Sequence, residues 1–344
     1  MVKADKRLWI GIGISVVLVL FLVRDTNFEK LGLIFRQVNY IYCLPVILAH
    51  LVAVLIRAHR WRFLMKGLHH PAIKNLFSAT MIGFMANFVL PARMGEFVRA
   101  YLIGRKEGIS KSAAFATVVV ERLVDTLTIL LILVAVLMRV SLPDSGIAPV
   151  YSSALRGAGI TLGLLFFAFL LFLILLKEKT DFTVSTMGFL LKPFPKTWHT
   201  KILTLLQSFV AGLGAIRFGP HLAYIAGYSL LLWGTYGAGN ALLLKAFQID
   251  LPAYVPFYLI VVQAVGVAIP SSPGFVGTYH AAVVAGLAAF GIHQEESLSF
   301  AILSHFIMVV PVIFYGLVLM WRDHLSLQAL GSEAAHGNSP PATG

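Results

Sequence analysis

The sequence predicts an all-α, polytopic membrane protein of about eight transmembrane helices, and three observations carry that expectation. Hydrophobic residues fill 58% of the 344 positions and charged residues 12%, where a soluble domain holds about 45–50% and about 25%. The apolar residues come in blocks long enough to cross a hydrocarbon core, which takes roughly 20 helical residues. The basic residues, which give a net charge of +12, sit in short segments between those blocks, where the positive-inside rule puts them.

In chain order the blocks are residues 8–23, 42–57, 113–138, 158–176, 222–245 and 298–320; stretches 75–91 and 254–291 are apolar but interrupted by proline and glycine. The first block follows Lys3, Lys6 and Arg7, as the core of a secretory signal would. It runs on into Arg24, Asp25, Thr26 and Asn27 with no small-residue cleavage site, and so reads as a retained span. Segment 57–74 carries Arg57, Arg60, Arg62, Lys66 and Lys74 and no acid, which makes it cytoplasmic. Trp61 among its arginines gives that segment the look of an interfacial anchor. Residues 177–201 carry five lysines and also read as cytoplasmic, whereas 139–157, 246–253 and 291–297 lack basic clusters and read as outside. Both termini then fall in the cytoplasm, on an inner membrane.

Segment 93–111 is basic as well, so both flanks of 75–91 share a side of the membrane. A re-entrant hairpin turning at Pro91 satisfies that better than a full crossing. Irregular backbone at membrane depth is tolerated only where protein buries it or it lines a wet cavity. Residues 202–216 read as a shallow interfacial helix. A single membrane domain over 1–330 is expected, with a disordered tail at 331–344.

Several function classes drop out. The basic residues form no solvated patch interleaved with aromatics, so no nucleic-acid partner is expected. Cys43 is the only cysteine, which excludes disulfides within the chain and paired-cysteine metal sites. There is no phosphate-cradling Gly-Lys-Ser/Thr loop, no HExxH and no Gly-x-Ser-x-Gly. The expectation is a chain that is not an enzyme and holds no metal or cofactor.

Each half carries one broken segment. The first reads Val89-Leu90-Pro91-Ala92-Arg93-Met94-Gly95-Glu96, the second Ala268-Ile269-Pro270-Ser271-Ser272-Pro273-Gly274-Phe275. Both are an apolar approach, then Pro-x-x-x-Gly, then a further helical stretch. One is approached from the cytoplasm and the other from outside, which points to an inverted repeat, and paired breaks of this kind point to a transport site. The alternative is a pair of ordinary proline kinks between packed helices.

Charges at depth single out further residues. Glu121, Arg122 and Asp125 lie inside block 113–138, where each charge costs on the order of 3 kcal/mol. Glu121 and Asp125, spaced i, i+4, share a helix face, while Arg122 points elsewhere on the turn. Their role is either functional or that of a buried ion pair, with Arg93 or Arg99 as the partner. Arg93, Glu96 and Arg99 follow the first break. An arginine fork suits a phosphodiester, and a helix starting just after Pro91 adds unpaired N–H groups that favour an anion. His50, His59 and His305 read as packed or interfacial.

Together these residues resemble a known family. Arg60-Trp61-Arg62, Asn87 through Pro91 and Gly95-Glu96 to Arg99, Glu121-Arg122-Leu123-Val124-Asp125, and Pro270-Ser271-Ser272-Pro273-Gly274 with Gly277 are similar to the lysylphosphatidylglycerol synthase transmembrane-region family. The resemblance covers roughly residues 8–322. It implies a flippase-like protein that moves lipids between leaflets, with a lipid-synthesis enzyme as a partner. Nothing after residue 322 matches a synthase domain, so lysyl transfer is not implied. The family pattern usually continues Pro-Gly-Gly-x-Gly with an acid shortly after. Here Phe275 stands for the second glycine and His280 stands about where the acid is expected. These departures set aside the cationic lipid of the founding members, and the resemblance to stand-alone relatives implies a phospholipid, hopanoid or polyprenyl-linked headgroup.

The expected function is a lipid translocase. Arg93 and Arg99 meet phosphate; Glu96, Glu121 and Asp125, beside Arg122, balance charge or exchange protons. Asn87, Pro91, Gly95, Pro270, Pro273, Gly274 and Gly277 shape the groove. His280 either faces that groove, where protonation adds positive charge near neutral pH, or packs as a neutral ring. The alternative function is a membrane-embedded transferase or a non-transporting accessory of a glycolipid pathway.

Overall fold

A computed structural model describes residues 6–24, 26–90, 93–137, 139 and 221–326, with isolated helical positions between 161 and 188. Ten α-helices and no strand run through the described residues. They are α1 (Lys6–Arg24), α2 (Phe28–Gln37), α3 (Cys43–Met65), α4 (Ile73–Val89) and α5 (Gly95–Glu107), followed by α6 (Lys111–Leu137), α7 (His221–Ala246), α8 (Val255–Ala268), α9 (Thr278–Ala288) and α10 (Gln294–Arg322). Apart from those isolated positions, the expected span 158–176, the loops on either side of it, segment 202–216 and the tail lie outside the described residues.

An all-α membrane protein is what these helices make. Among the described residues, two stretches, Tyr40–Met65 and Gln294–Arg322, are by themselves long and apolar enough to cross a bilayer. A third crossing results if Trp9–Arg24 and Phe28–Gln37, bent by 88° at their junction, count as one span. The others depart from a plain apolar rod for visible reasons. Helix α6 carries two acids and Arg122 mid-length, and α8 is cut to 14 residues by the second break.

Helix α2 has no counterpart among the sequence-predicted blocks. Its start is fixed by Asn27, whose side-chain oxygen accepts from the N–H groups of Glu29 and Lys30, satisfying two donors a helix otherwise leaves unpaired. No residue of α2 is buried. The chain then re-enters a helix through a 3-10 turn at Tyr40–Tyr42.

Two compact units divide the chain, one holding Met1–Arg57, Phe77–Arg99 and Leu231–Gly344, the other Ala58–Leu76 and Ala100–Leu230. In the first unit, polar side chains pin apolar helices together. Asn240 of α7 donates to the Pro256 carbonyl (3.0 Å) and exchanges hydrogen bonds with Gln263 of α8 (3.1 and 3.2 Å). Gln294 donates to the Leu22 carbonyl (3.0 Å), and Ser78 of α4 donates to Asp323 (2.8 Å) at the end of α10. Within hydrocarbon such bonds replace the hydrophobic drive that water would otherwise supply.

In the second unit Glu107 organises the turn after α3. Its carboxylate accepts from the Ala72 N–H (3.0 Å) and the Asn75 amide (2.7 Å) and meets His69 Nε2 at 3.1 Å. The basic segment after residue 57 is corrected here. Helix α3 runs through Arg57, Arg60 and Trp61 to Met65, and these three are 3%, 0% and 0% exposed. They are core residues, and of the proposed anchor Arg62 alone faces outward. The reason is pairing: a guanidinium with a carboxylate or an aromatic face beside it can stay buried at membrane depth.

Candidate functional site

The first break begins where α4 ends at Val89. Arg93 takes a left-handed backbone (φ 53°), and α5 starts two residues later at Gly95. Asn87, still on α4, holds that start in place. Its side-chain oxygen accepts from the Gly95 N–H (2.7 Å), and its amide donates to Glu96 (3.3 Å). A Cβ at Gly95 would run into both Asn87 and the Gly83 carbonyl, so the residue must be glycine. Of the N–H groups expected to favour an anion at the start of α5, the first is occupied by Asn87.

The predicted arginines separate. Arg99 is 1% exposed, lies against Gly83 and has its guanidinium 5.8 Å from the Phe84 ring centre. Arg57 approaches the same ring at 5.5 Å. Arg93 is exposed. Its guanidinium lies 5.4 Å from the ring centre of Phe275, and one nitrogen donates to the Val267 carbonyl (3.4 Å).

Phe275 belongs to the second break. Helix α8 gives way to extended backbone at Ile269, Pro270 is exposed, and a tight turn follows at Pro273–Phe275. Gly274 and Phe275 are both left-handed (φ 77° and 60°), and Gly277 (φ 90°) caps α9. Helix α1 presses on this turn. A Cβ at Gly277 would sit 2.7 Å from the Ser15 carbonyl oxygen, and the Ser272 N–H donates to Ser15 Oγ (2.9 Å). His305 of α10 donates from Nε2 to the Gly274 carbonyl (2.7 Å). The His280 ring lies 4.7 Å from that of His305, centre to centre.

The two breaks meet. Arg93 from the first reaches Val267 and Phe275 at the second, and the Phe88 ring packs edge-on against Phe275 at 5.9 Å. Asn87, Arg93, Gly95, Glu96, Arg99, Pro270, Pro273, Gly274, Gly277 and His280 thus belong to one unit. Pro91 lies outside the described residues.

Glu121, Arg122 and Asp125 form a cluster in the other unit. Arg60 donates to Asp125 (2.6 Å) and to Ser229 (2.8 Å) and lies 3.9 Å from Glu121. Arg122 does not point away, as expected, but folds back onto Glu121 (2.8 Å) and Asp125 (3.5 Å). Arg60, fully buried, and Arg122 thus both lie against Glu121 and Asp125. Trp61, next to it, donates to Thr117 (2.8 Å).

Sequence reasoning missed Arg60, Ser229, His305 and Ser15 as members of these clusters. Arg60 lay in a run of basic residues that charge counting sends to a loop. His305 and Ser15 are single polar residues in apolar spans, and no local pattern ties them to a break more than thirty residues away.

Comparison with known proteins gives these features a family. The profile of the lysylphosphatidylglycerol synthase TM region matches residues 8–316. A UPF0104 membrane protein of Pyrococcus horikoshii is 23% identical over 343 residues, covering 92% of this chain and 96% of its own. A UPF0104 membrane protein of Methanocaldococcus jannaschii is 32% identical over 116 residues, 33% of this chain and 34% of its own. Glycosyltransferase AglD of Haloferax volcanii is 27% identical over 285 residues, 76% of this chain and 45% of its own. The chain thus spans about a third of the second relative and under half of the third. No solved structure matches. The match to a protein named as a glycosyltransferase, over most of this chain, overturns the expectation that the chain is not an enzyme. With the profile matched along nearly its whole length, the chain belongs to the lysylphosphatidylglycerol synthase transmembrane-region family of membrane proteins.

Proposed function

We propose that the chain binds the phosphate-bearing headgroup of a lipid or lipid-linked intermediate where its two helix breaks meet, and moves that headgroup between leaflets of the membrane. The observation that supports this most is the exposed guanidinium of Arg93, supplied by one break and seated on Phe275 of the other. A polar headgroup crossing hydrocarbon needs a lining of polar backbone and cations, and two interrupted helices supply the backbone. In this reading Arg93 meets the phosphate with its planar fork. Asn87 and Glu96 set the start of α5 beside it, and Pro270, Pro273, Gly274 and Gly277 shape the turn opposite. Arg99, buried against Phe84, adds positive potential from beneath. Glu121, Arg122 and Asp125, with Arg60, are a structural cluster of ion pairs.

A second reading is favoured by the relative named as a glycosyltransferase: the same site presents a lipid-linked headgroup to a transfer reaction in a glycolipid pathway. One preparation separates the two. Purified protein in liposomes carrying fluorescent phosphatidylglycerol is expected to accelerate leaflet exchange, and Arg93→Gln to lose at least about tenfold of that rate, the effect of removing a charged hydrogen bond. Arg93→Lys rescues only in part, because the fork is gone. With an activated-sugar donor added, a lipid extract whose headgroup has gained a sugar mass, without exchange, supports the transfer reading; equal exchange in wild type and Arg93→Gln overturns the assignment of Arg93.

A further inference from the structure

Phe275 stands where the two breaks meet, and its backbone is strained. Its φ is 60°, a left-handed value that a bulky side chain rarely adopts and that costs stability. The turn around it holds that conformation in place. The Phe275 N–H donates to the Ser272 carbonyl (3.1 Å), its own carbonyl accepts from Thr278 Oγ1 (3.3 Å), and His305 Nε2 donates to the carbonyl of Gly274 (2.7 Å). The side chain is 6% exposed, with the Phe88 ring packed against it at 77° and 5.9 Å. An ordinary φ at this position would swing the Cβ out of the turn and carry the ring away. The strained backbone is what fixes where the ring lies.

Arg93 meets this ring from the first break. Its backbone is left-handed too (φ 53°), its guanidinium lies over the Phe275 ring at 5.4 Å, and one nitrogen donates to the Val267 carbonyl (3.4 Å). A cation within about 6 Å of an aromatic face is drawn to the negative face of the ring, more strongly where water is scarce. That attraction uses the flat of a guanidinium, whose N–H groups lie in its plane and can still hydrogen-bond. An exposed arginine ordinarily samples many rotamers and has to be ordered when a ligand binds, which weakens the hold on that ligand. Arg93 is exposed, yet a buried ring from one side and a carbonyl from another restrain it beforehand.

We infer that Phe275 is a positioning residue for the headgroup phosphate: the electrons of its ring hold the Arg93 guanidinium over the second break, so that the fork meets two phosphate oxygens without first being ordered. This inference rests on the headgroup reading above and gives Phe275 a part in it that filling the turn does not require. A side chain that only filled the turn would serve as well with leucine, or with a ring drained of its electrons. A positioning ring must be electron-rich.

Fluorine separates the two roles, because each fluorine drains the negative face of the ring while changing its shape little. The test is binding of short-chain phosphatidylglycerol to the full chain in detergent, by titration calorimetry, with mono-, di- and trifluorinated phenylalanine incorporated in place of Phe275. Expected is an affinity that falls in step with the number of fluorines, by about fivefold for the trifluorinated ring, within the worth of one cation–π contact. Phe275→Leu should lose at least as much. Thermal unfolding in the same detergent should stay level across the fluorinated series, since the packing is kept. An affinity that stays level or rises with fluorination, in a protein whose wild type binds, overturns the role of Phe275 and leaves the headgroup site standing. So does an affinity that falls only as the unfolding temperature falls with it. No binding by the wild type overturns the headgroup reading and this inference together.

Discussion

Arg60 carries a full charge with none of its surface exposed, and its guanidinium is divided between Asp125, Glu121 and Ser229. A buried pair of this kind is weak evidence for net stabilisation, because desolvation offsets most of the attraction. Breaking it is another matter, since the remaining charge is left buried without its partner. Arg60→Gln and Asp125→Asn are each expected to cost about 3–5 kcal/mol, and the double variant less than the sum, because both remove one interaction. Equilibrium unfolding in mixed micelles measures this; losses under about 1 kcal/mol would show that the cluster has little structural weight. The sequence did single out Glu121 and Asp125, from the cost of a charge at depth and their i, i+4 spacing. It pointed to Arg93 or Arg99 as the partner because Arg60 is continuous with a basic run. Only a helix that continues past Arg57 turns Arg60 inward, and that continuation depends on tertiary pairing.

Among the elements, the two interruptions decide what the helices can do. Both were legible as Pro-x-x-x-Gly between apolar stretches, because proline and glycine act locally on the backbone. What joins them was not: Phe88 against Phe275, Arg93 against Val267 and His305 against Gly274 are contacts between distant segments. Helix α2 was likewise missed, although its Asn27 cap is a local signal, since its mixed composition resembles a loop beside apolar neighbours. Gly277 tests the second break as an element. Its φ of 90° excludes ordinary side chains, and a Cβ there would meet the Ser15 carbonyl oxygen at 2.7 Å. Gly277→Ala should destabilise the fold by roughly 1–3 kcal/mol, read as a loss of thermal stability in detergent. Gly13→Ala, on the same α1 helix but with nothing within 4 Å of the added methyl, should stay within about 0.5 kcal/mol. Equal effects would mean that α1 does not clamp the turn.

For the whole molecule, composition was enough to fix the class, an all-α membrane protein. The number of crossings was less accessible. Two described stretches, or three with the bent pair, meet the length and hydropathy of a plain span, where about eight were expected from apolar blocks. Charges inside α6 and the breaks beside α4 and α8 are the same features that make the chain more than a passive bundle, and they lower the hydropathy by which spans are counted. In the proposed function, two breaks from separate halves of the chain form one headgroup site. Photocrosslinking tests it most directly, with phosphatidylglycerol bearing a photoactivatable headgroup, protein in liposomes, and labelled peptides mapped by mass spectrometry. Headgroup crosslinks are expected in both 87–96 and 270–277, reduced together in Arg93→Gln. Crosslinks confined to one of these segments, or falling outside both, would contradict it.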